Sequence, residues 1–159
     1  MSFTISQRKE ANLLSTYPGY TRKPHYYETD QMAIIHHANY IRWFEEARVD
    51  MLDFLGFPYE KMEELGIIVP VLSVNCEYKE MIRYGQAVLI KVYIANYTGT
   101  RLNFQYEIID QKKQRLLTTG ESKHCFLAKE TQRLINLKKS FPTIHELFEK
   151  CFLANQKIN

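Results

Sequence analysis

The sequence lacks the long apolar runs and basic stripes that would place it at a membrane or on a nucleic acid. Its 159 residues contain no stretch near the roughly 20 apolar residues that a spanning helix needs. The N-terminal "MSFTISQRKEANLL" has no basic-then-apolar order of a signal peptide. A net charge of +3 without clustered lysines and arginines argues against a nucleic-acid partner. We therefore predict a cytoplasmic protein without a membrane span.

Cysteine pairs are also missing. The three cysteines, Cys76, Cys125 and Cys151, are odd in number, far apart and without C-x-x-C spacing. This pattern excludes a disulfide framework and gives no zinc-ligand signature. We predict reduced structural thiols, no metal and no cofactor.

Aromatic and charged residues are plentiful. The chain is 45% hydrophobic and 25% charged, with 11 tyrosines and 9 phenylalanines. These proportions are typical of a folded globular chain and suit a β-rich core or an aromatic-lined pocket. The length is that of one domain, which we assign to residues 1–159.

Hydrophobic periodicity predicts one long helix followed by strands. Apolar residues recur every three or four positions over residues 40–55, which indicates an amphipathic helix, with His37 or Asn39 near its N-cap. Glu45 and Arg48 on this helix are spaced for an ion pair. The first strand is predicted in "YTRKPHYYE", and a helix in "KKSFPTIHELFEKCF" near the end of the chain. Period-two alternation predicts four consecutive strands, in "IIVPVLSVNCEYKEM", "AVLIKVYIANYT", "RLNFQYEIID" and "RLLTTGESKHCFLA".

This element order predicts an α+β fold with an antiparallel sheet of about five strands around one long helix. Consecutive strands without crossover helices pair antiparallel. A single long helix covers only one face of such a sheet, so we expect a partner copy to cover the remaining apolar surface.

The stretch between the first strand and the helix resembles a known family. The pattern Y-x-x-x-D-Q-M-A-x-x-H-H-A-N-Y-x-x-x-F-E-x-A-R, over residues 26–48, is similar to the opening motif of hot-dog-fold acyl-CoA thioesterases of the 4-hydroxybenzoyl-CoA thioesterase type. The resemblance covers about residues 21–127, and a C-terminal helical extension at about 139–153 lies outside it. It implies hydrolysis of acyl-CoA thioesters by a homodimer or homotetramer.

The resemblance also implies roles for four residues. Asp30 corresponds to the catalytic carboxylate of the family, and His37 to a residue that binds or polarises the thioester. Tyr26 and Ala38 are assigned to substrate binding with His37. Many family members have glycine where this chain has Ala33, so either that backbone position is ordinary here or the loop differs in shape.

The chemistry of a thioester fits these assignments but leaves alternatives open. Hydrolysis needs a carboxylate that activates water or attacks directly, and the N-terminus of the helix supplies N–H groups for the oxyanion. An aspartate before a helix is otherwise a capping or loop residue. The substrate is carried either by CoA or by an acyl carrier protein, and a non-catalytic acyl-binding module is the remaining alternative.

Overall fold

The computed structural model describes residues 17–156 and shows an antiparallel sheet packed on a long helix. The sheet has five strands in the order β1-β4-β5-β6-β3, and β2 and β7 form a separate two-stranded sheet. The strands are β1 (Tyr20–Arg22), β2 (Ile67–Ile68), β3 (Val71–Tyr78), β4 (Val88–Tyr97), β5 (Arg101–Asp110), β6 (Leu116–Cys125) and β7 (Leu127–Ala128). The helices are α1 (Asn39–Phe54), α2 (Tyr59–Glu64), α3 (Leu137–Ser140) and α4 (Pro142–Gln156). The predicted α+β hot-dog arrangement is confirmed.

The first strand is shorter than the sequence predicts. β1 ends at Arg22, and Tyr26–Glu28 form a 3-10 helix instead of continuing the strand. Pro24 cannot donate a hydrogen bond to a neighbouring strand, which is consistent with this early end. The 3-10 turn brings the chain from the sheet edge towards the N-terminus of α1.

The core lies between α1 and the inner face of the sheet. Trp43, Phe44, Ala47 and Met51 of α1 are almost fully buried. The helix approaches β6 so closely that a Cβ atom on Gly120 would overlap the ring of Phe44. Glycine at this position therefore allows the helix to seat on the sheet.

A chain of polar side chains crosses this core. Arg48 is 6% exposed and donates to the hydroxyls of Tyr59 and Tyr106, both at 2.9 Å. Tyr106 Oη lies 2.6 Å from Ser122 Oγ, which in turn lies 2.8 Å from His124 Nε2. The expectation of an ion pair between Glu45 and Arg48 is wrong, because the arginine points into the core and donates to tyrosine hydroxyls there.

Helix α4 covers a free edge of the sheet. β1 pairs only with Val88, Leu89 and Ile90 of β4, which leaves the rest of that edge without a strand. α4 packs along β4, and its Ile144, Phe148 and Cys151 join the main core. Asn155 Oδ1 accepts from the backbone N–H of Ile94 at 2.7 Å, next to a bulge in the strand.

The cysteines in the described residues are free thiols. Cys125 and Cys151 are buried, whereas Cys76 is only partly so. Burial raises the pKa of Cys151 to about 12 and that of Cys76 above its usual value, so both are held as thiols at neutral pH. None of the helices within residues 17–156 is long and apolar enough to cross a membrane.

Candidate active site

The loop between the 3-10 helix and α1 is fixed by its own backbone. Thr29 and Ile35 form an antiparallel bridge, and within it Asp30 N–H donates to the carbonyl of Ile34 at 2.9 Å. The N–H of Ala33 donates back to the carbonyl of Asp30 at 3.0 Å, and Ile35 donates to Ile82 on a neighbouring segment at 2.8 Å. The loop is therefore a small closed turn anchored to the body of the protein, which is suited to holding a side chain in one place.

One of the two carboxylate oxygens of Asp30 is fixed by a hydrogen bond from the backbone. Its Oδ1 accepts from the backbone N–H of Met32 at 2.8 Å, and the residue is half-buried. Its Oδ2 accepts no hydrogen bond from the residues that the structure describes. A carboxylate with one anchored oxygen and one free oxygen is oriented and still able to take a proton or attack a carbonyl.

Helix α1 begins where the sequence predicts it. The N-cap is Ala38, which lies between His37 and Asn39 and has no capping side chain. Asn39 donates its side-chain amide to the carbonyl of Glu28 at 3.0 Å. Nδ1 of His36 accepts from the N–H of Ala38 at 3.2 Å. Among residues 17–156 no side chain caps the first turn of α1, so no capping oxygen from this part of the chain shields its N–H groups.

His37 lies in the same loop with its ring exposed. The ring stacks on His36 with centroids 4.1 Å apart, and meets the edge of Tyr78 at 6.5 Å. Tyr78 Oη donates to the carbonyl of His37 at 2.8 Å. This contact joins the loop to the end of β3.

Tyr26 is the most separate of the four predicted residues. Its side chain is 76% exposed and packs edge-on against Tyr84, with ring centroids 5.6 Å apart. Its carbonyl accepts from the N–H of Thr29 at 3.2 Å, at the entrance of the loop. The structure thus places Asp30 in the closed turn, His37 and Ala38 between that turn and α1, and Tyr26 at the entrance of the loop, with no hydrogen bond joining the four among the described residues.

Apolar side chains surround this loop on the outside. Large exposed ones include Tyr27, Met32, Tyr78, Met81 and Tyr84. Contiguous exposed apolar surface marks a binding site or an interface more often than a bare surface. An apolar acyl group and a second copy of the chain are the two occupants that such a surface suits.

Glu28, which the sequence did not single out, holds the loop in position. Its buried carboxylate accepts from Arg22 with both oxygens at 2.7 Å, and from Trp43 Nε1 at 2.9 Å. Its carbonyl accepts from the N–H of His36 at 2.8 Å. Burial alone would raise the pKa of Glu28, but the hydrogen bonds from Arg22 and Trp43 outweigh it and hold that pKa below its usual range.

The sequence alone gives little indication that Glu28 has a structural role. A glutamate two positions before Asp30 in "YYETD" looks like any loop residue, because its partners Arg22 and Trp43 come from other elements. Arg22 also donates to Glu46 at 2.6 Å, so Glu46 is paired with the same arginine that holds Glu28.

Within residues 17–156, no group of three or more histidine, cysteine or acidic side chains is placed to hold a metal ion.

The sheet wrapped on a central helix and the acidic loop before that helix define a hot-dog-fold protein. The chain belongs to the Thioesterase-like superfamily, whose sequence model matches residues 24–146. The family resemblance seen in the motif is therefore confirmed.

Several relatives align with this chain over most of its length. It is 36% identical over 125 residues to the Bacillus subtilis (strain 168) protein named "Putative acyl-CoA thioesterase YneP", covering 79% of this chain and 90% of that protein. A solved structure titled DHNA-CoA thioesterase from Staphylococcus aureus is 37% identical with a TM-score of 0.81, covering 88% of this chain and 93% of the other. A hypothetical protein from Thermus thermophilus is 27% identical with a TM-score of 0.75, covering 83% and 97%.

Proposed function

We propose that this protein hydrolyses acyl-CoA thioesters, with Asp30 as the general base or nucleophile. The observation that carries this proposal is the half-anchored carboxylate of Asp30 on a rigid turn directly before the uncapped N-terminus of α1. The similarity to proteins named as acyl-CoA and DHNA-CoA thioesterases supports the same chemistry. In the reaction, oxygen from water replaces sulfur on the acyl carbon, the C–S bond breaks, and the thiolate of CoA takes up a proton.

The geometry supports a role for the helix start. With a thioester carbonyl pointing at the first turn of α1, the N–H groups there and the positive end of the helix dipole stabilise the oxyanion. Ala38 supplies the backbone at this point, and His37 and Tyr26 line the approach. The free Oδ2 of Asp30 then acts on the water or on the carbonyl carbon.

We also infer that two copies of the chain pair through β3. This strand lies at the edge of the sheet, and almost all of its residues are exposed. Val74, Cys76 and Tyr78 pair with Ser122, Gly120 and Thr118, which face the core, so these three side chains continue the apolar inner face of the sheet. A long exposed apolar edge strand is rare in a monomer, because it would aggregate.

The pairing would also complete the site. Tyr78 at the end of β3 donates a hydrogen bond to the carbonyl of His37, so a partner strand placed beside β3 would border the loop that carries Asp30.

The packing of α4 into the same core as α1 supports our assignment of residues 1–159 to one domain. CoA thioesters are the first substrates to test, and acyl carrier protein thioesters are the alternative.

The test is the Asp30→Asn variant assayed with a panel of acyl-CoAs by release of free thiol. Asparagine keeps an oxygen for the N–H of Met32 but cannot act as a base or carboxylate nucleophile. Turnover should fall about a hundredfold or more, while acyl-CoA affinity and the thermal midpoint change little.

The matched control is Asp53→Asn, an exposed aspartate near the opposite end of α1, which should keep full turnover. A folded Asp30→Asn protein with near wild-type turnover would exclude this mechanism and direct the search to His37 or Glu45. Wild-type protein that releases no thiol from any acyl-CoA would point to the binding-module alternative.

A further inference from the structure

A cavity with a basic lining lies beside the loop that carries Asp30. It has a volume of about 720 Å³ and is formed between residues 81–87 and the turn that joins β5 to β6. Its lining includes four cationic side chains, Arg83, Lys112, Lys113 and Arg115. Pockets for small molecules generally measure about 300–1,000 Å³, so this cavity is of the size that holds one.

The charges in the cavity are only partly neutralised. Arg115 pairs with Glu80 at 2.7 Å, whereas Lys112 and Lys113 form no ion pair with any residue in the described part of the chain. Asp110 is the one carboxylate in the lining, and its Oδ1 accepts from the backbone N–H groups of both lysines, at 2.9 and 2.8 Å. Its Oδ2 accepts from Gln86 at 2.6 Å. The two lysine ammonium groups are therefore free to meet an anion.

The cavity and the Asp30 loop share one wall. Arg83 donates to the carbonyl of Ala33 at 3.3 Å, and its neighbour Ile82 accepts from the N–H of Ile35 at 2.8 Å. Met81, 64% exposed, lies on the same segment and lines the cavity. A ligand that extends from Asp30 along this segment enters the cavity that the lysines line.

We propose that this cavity receives the phosphate groups of CoA, with Lys112 and Lys113 as their main ligands. This proposal rests on the function proposed above. CoA carries its negative charge on a nucleotide that a long uncharged pantetheine arm separates from the sulfur, so a thioester at Asp30 places its phosphates at a distance. Lysine ammonium groups bind phosphate through charge-assisted hydrogen bonds. The concave shape favours a nucleotide over the convex acidic surface of a carrier protein.

The experiment compares two paired substitutions in the full-length protein. Lys112→Ala with Lys113→Ala removes the proposed phosphate ligands, and Lys138→Ala with Lys139→Ala removes two adjacent exposed lysines from α3 as the control. Binding of free CoA, dephospho-CoA and pantetheine is measured by calorimetry. The KM values of the matching thioesters, and of an acyl carrier protein thioester, are measured alongside with one acyl group throughout.

The Lys112/Lys113 variant should bind CoA roughly tenfold or more weakly, because it loses two exposed ammonium groups that form charge-assisted hydrogen bonds to phosphate. Its affinity for pantetheine and its kcat on the pantetheine thioester should equal those of the wild type. The dependence of CoA binding on salt should also weaken. The Lys138/Lys139 variant should match the wild type in all of these measurements.

Three results would overturn the proposal. They are unchanged CoA affinity in the Lys112/Lys113 variant, a larger loss in the Lys138/Lys139 variant, or a loss confined to thioesters of an acyl carrier protein. The last result would assign the basic cavity to a protein partner. Because CoA binding is measured without turnover, a wild-type protein that binds CoA but hydrolyses no thioester would contradict the proposed function and leave the cavity assignment standing.

Discussion

Ala33 shows how a single residue stores strain beside the candidate catalytic group. Its φ is +57°, in the left-handed region that alanine adopts only at a free-energy cost of about 1–2 kcal/mol. The turn needs this conformation, because the N–H of Ala33 returns to the carbonyl of Asp30. The family preference for glycine at this position therefore has a backbone reason, and this chain keeps the turn with alanine.

We predict that Ala33→Gly stabilises the protein by about 0.5–1 kcal/mol, since relief of the strain exceeds the extra entropy of an unfolded glycine. Ala154→Gly is the matched control. Ala154 lies within helix α4 (Pro142–Gln156), so the same change there should lower stability instead. Urea unfolding of both variants measures the two effects, and a loss of stability in Ala33→Gly would show that the turn is not strained by its side chain.

His124 makes stability depend on pH. The residue is fully buried, and desolvation together with the nearby charge of Arg48 lowers its pKa to about 4, against a smaller opposing contribution from the backbone of Val69. The unfolded chain takes up this proton near pH 6.5, whereas the folded protein resists until about pH 4. The stability contributed by neutral His124 is therefore present above pH 6.5 and is lost as the pH falls towards 4.

The expected loss over that interval is about 3 kcal/mol from this one group. In His124→Gln, which does not titrate, the free energy of unfolding should fall less steeply between pH 6.5 and 4. Urea titrations at several pH values provide the comparison, and identical slopes in wild type and His124→Gln would contradict a depressed pKa.

The long helix and the four consecutive strands were predicted correctly from the sequence, because their positions follow from the periodicity of apolar residues. The helix predicted over residues 40–55 is α1, and the four predicted strands contain β3 to β6, because one buried face imposes a regular apolar spacing. The 3-10 turn at Tyr26–Glu28 and the closed turn that follows it were missed. Their geometry depends on distant partners such as Ile82 and Trp43, which no local pattern contains.

Helix α4 illustrates a role that only the assembled structure reveals. It covers the part of the β4 edge that β1 does not reach, and Asn155 satisfies the N–H of Ile94 there. We predict that Asn155→Ala lowers stability by about 1–2 kcal/mol, because it leaves that buried N–H without a partner. The exposed neighbour Gln156→Ala should have little effect. Urea unfolding and amide exchange at Ile94 measure the loss, and equal stability of the two variants would mean that α4 covers the edge by packing alone.

For the whole molecule, the distribution of apolar surface points to a second copy. α1 covers the inner face of the sheet over β4 to β6, but β3 extends past it with Val74 41% exposed and Tyr78 47% exposed. The polar residues Ser73, Asn75 and Glu77 alternate with them on the other face. A strand exposed to water on both faces needs no apolar face. A strand at an interface needs one apolar face to bury and one polar face towards water.

We predict that the wild type is at least a dimer at micromolar concentration and that Val74→Lys shifts it to a monomer. A lysine on the apolar face of an edge strand would place an unpaired charge in the interface, which costs several kcal/mol. Ser73→Lys adds the same charge to the polar face and should keep the wild-type mass. Light scattering gives the masses, and circular dichroism checks that both variants fold.

The Val74→Lys monomer should also lose most of its thioesterase turnover, although Asp30 is unchanged. The reason is that Tyr78 on the same strand bonds the carbonyl of His37, so a partner strand beside β3 would border the candidate site. A Val74→Lys protein that becomes monomeric and keeps full turnover would show that each subunit holds a complete site. A wild-type protein with the mass of a monomer would remove the interface altogether, and would leave the exposed face of β3 to the acyl group of the substrate.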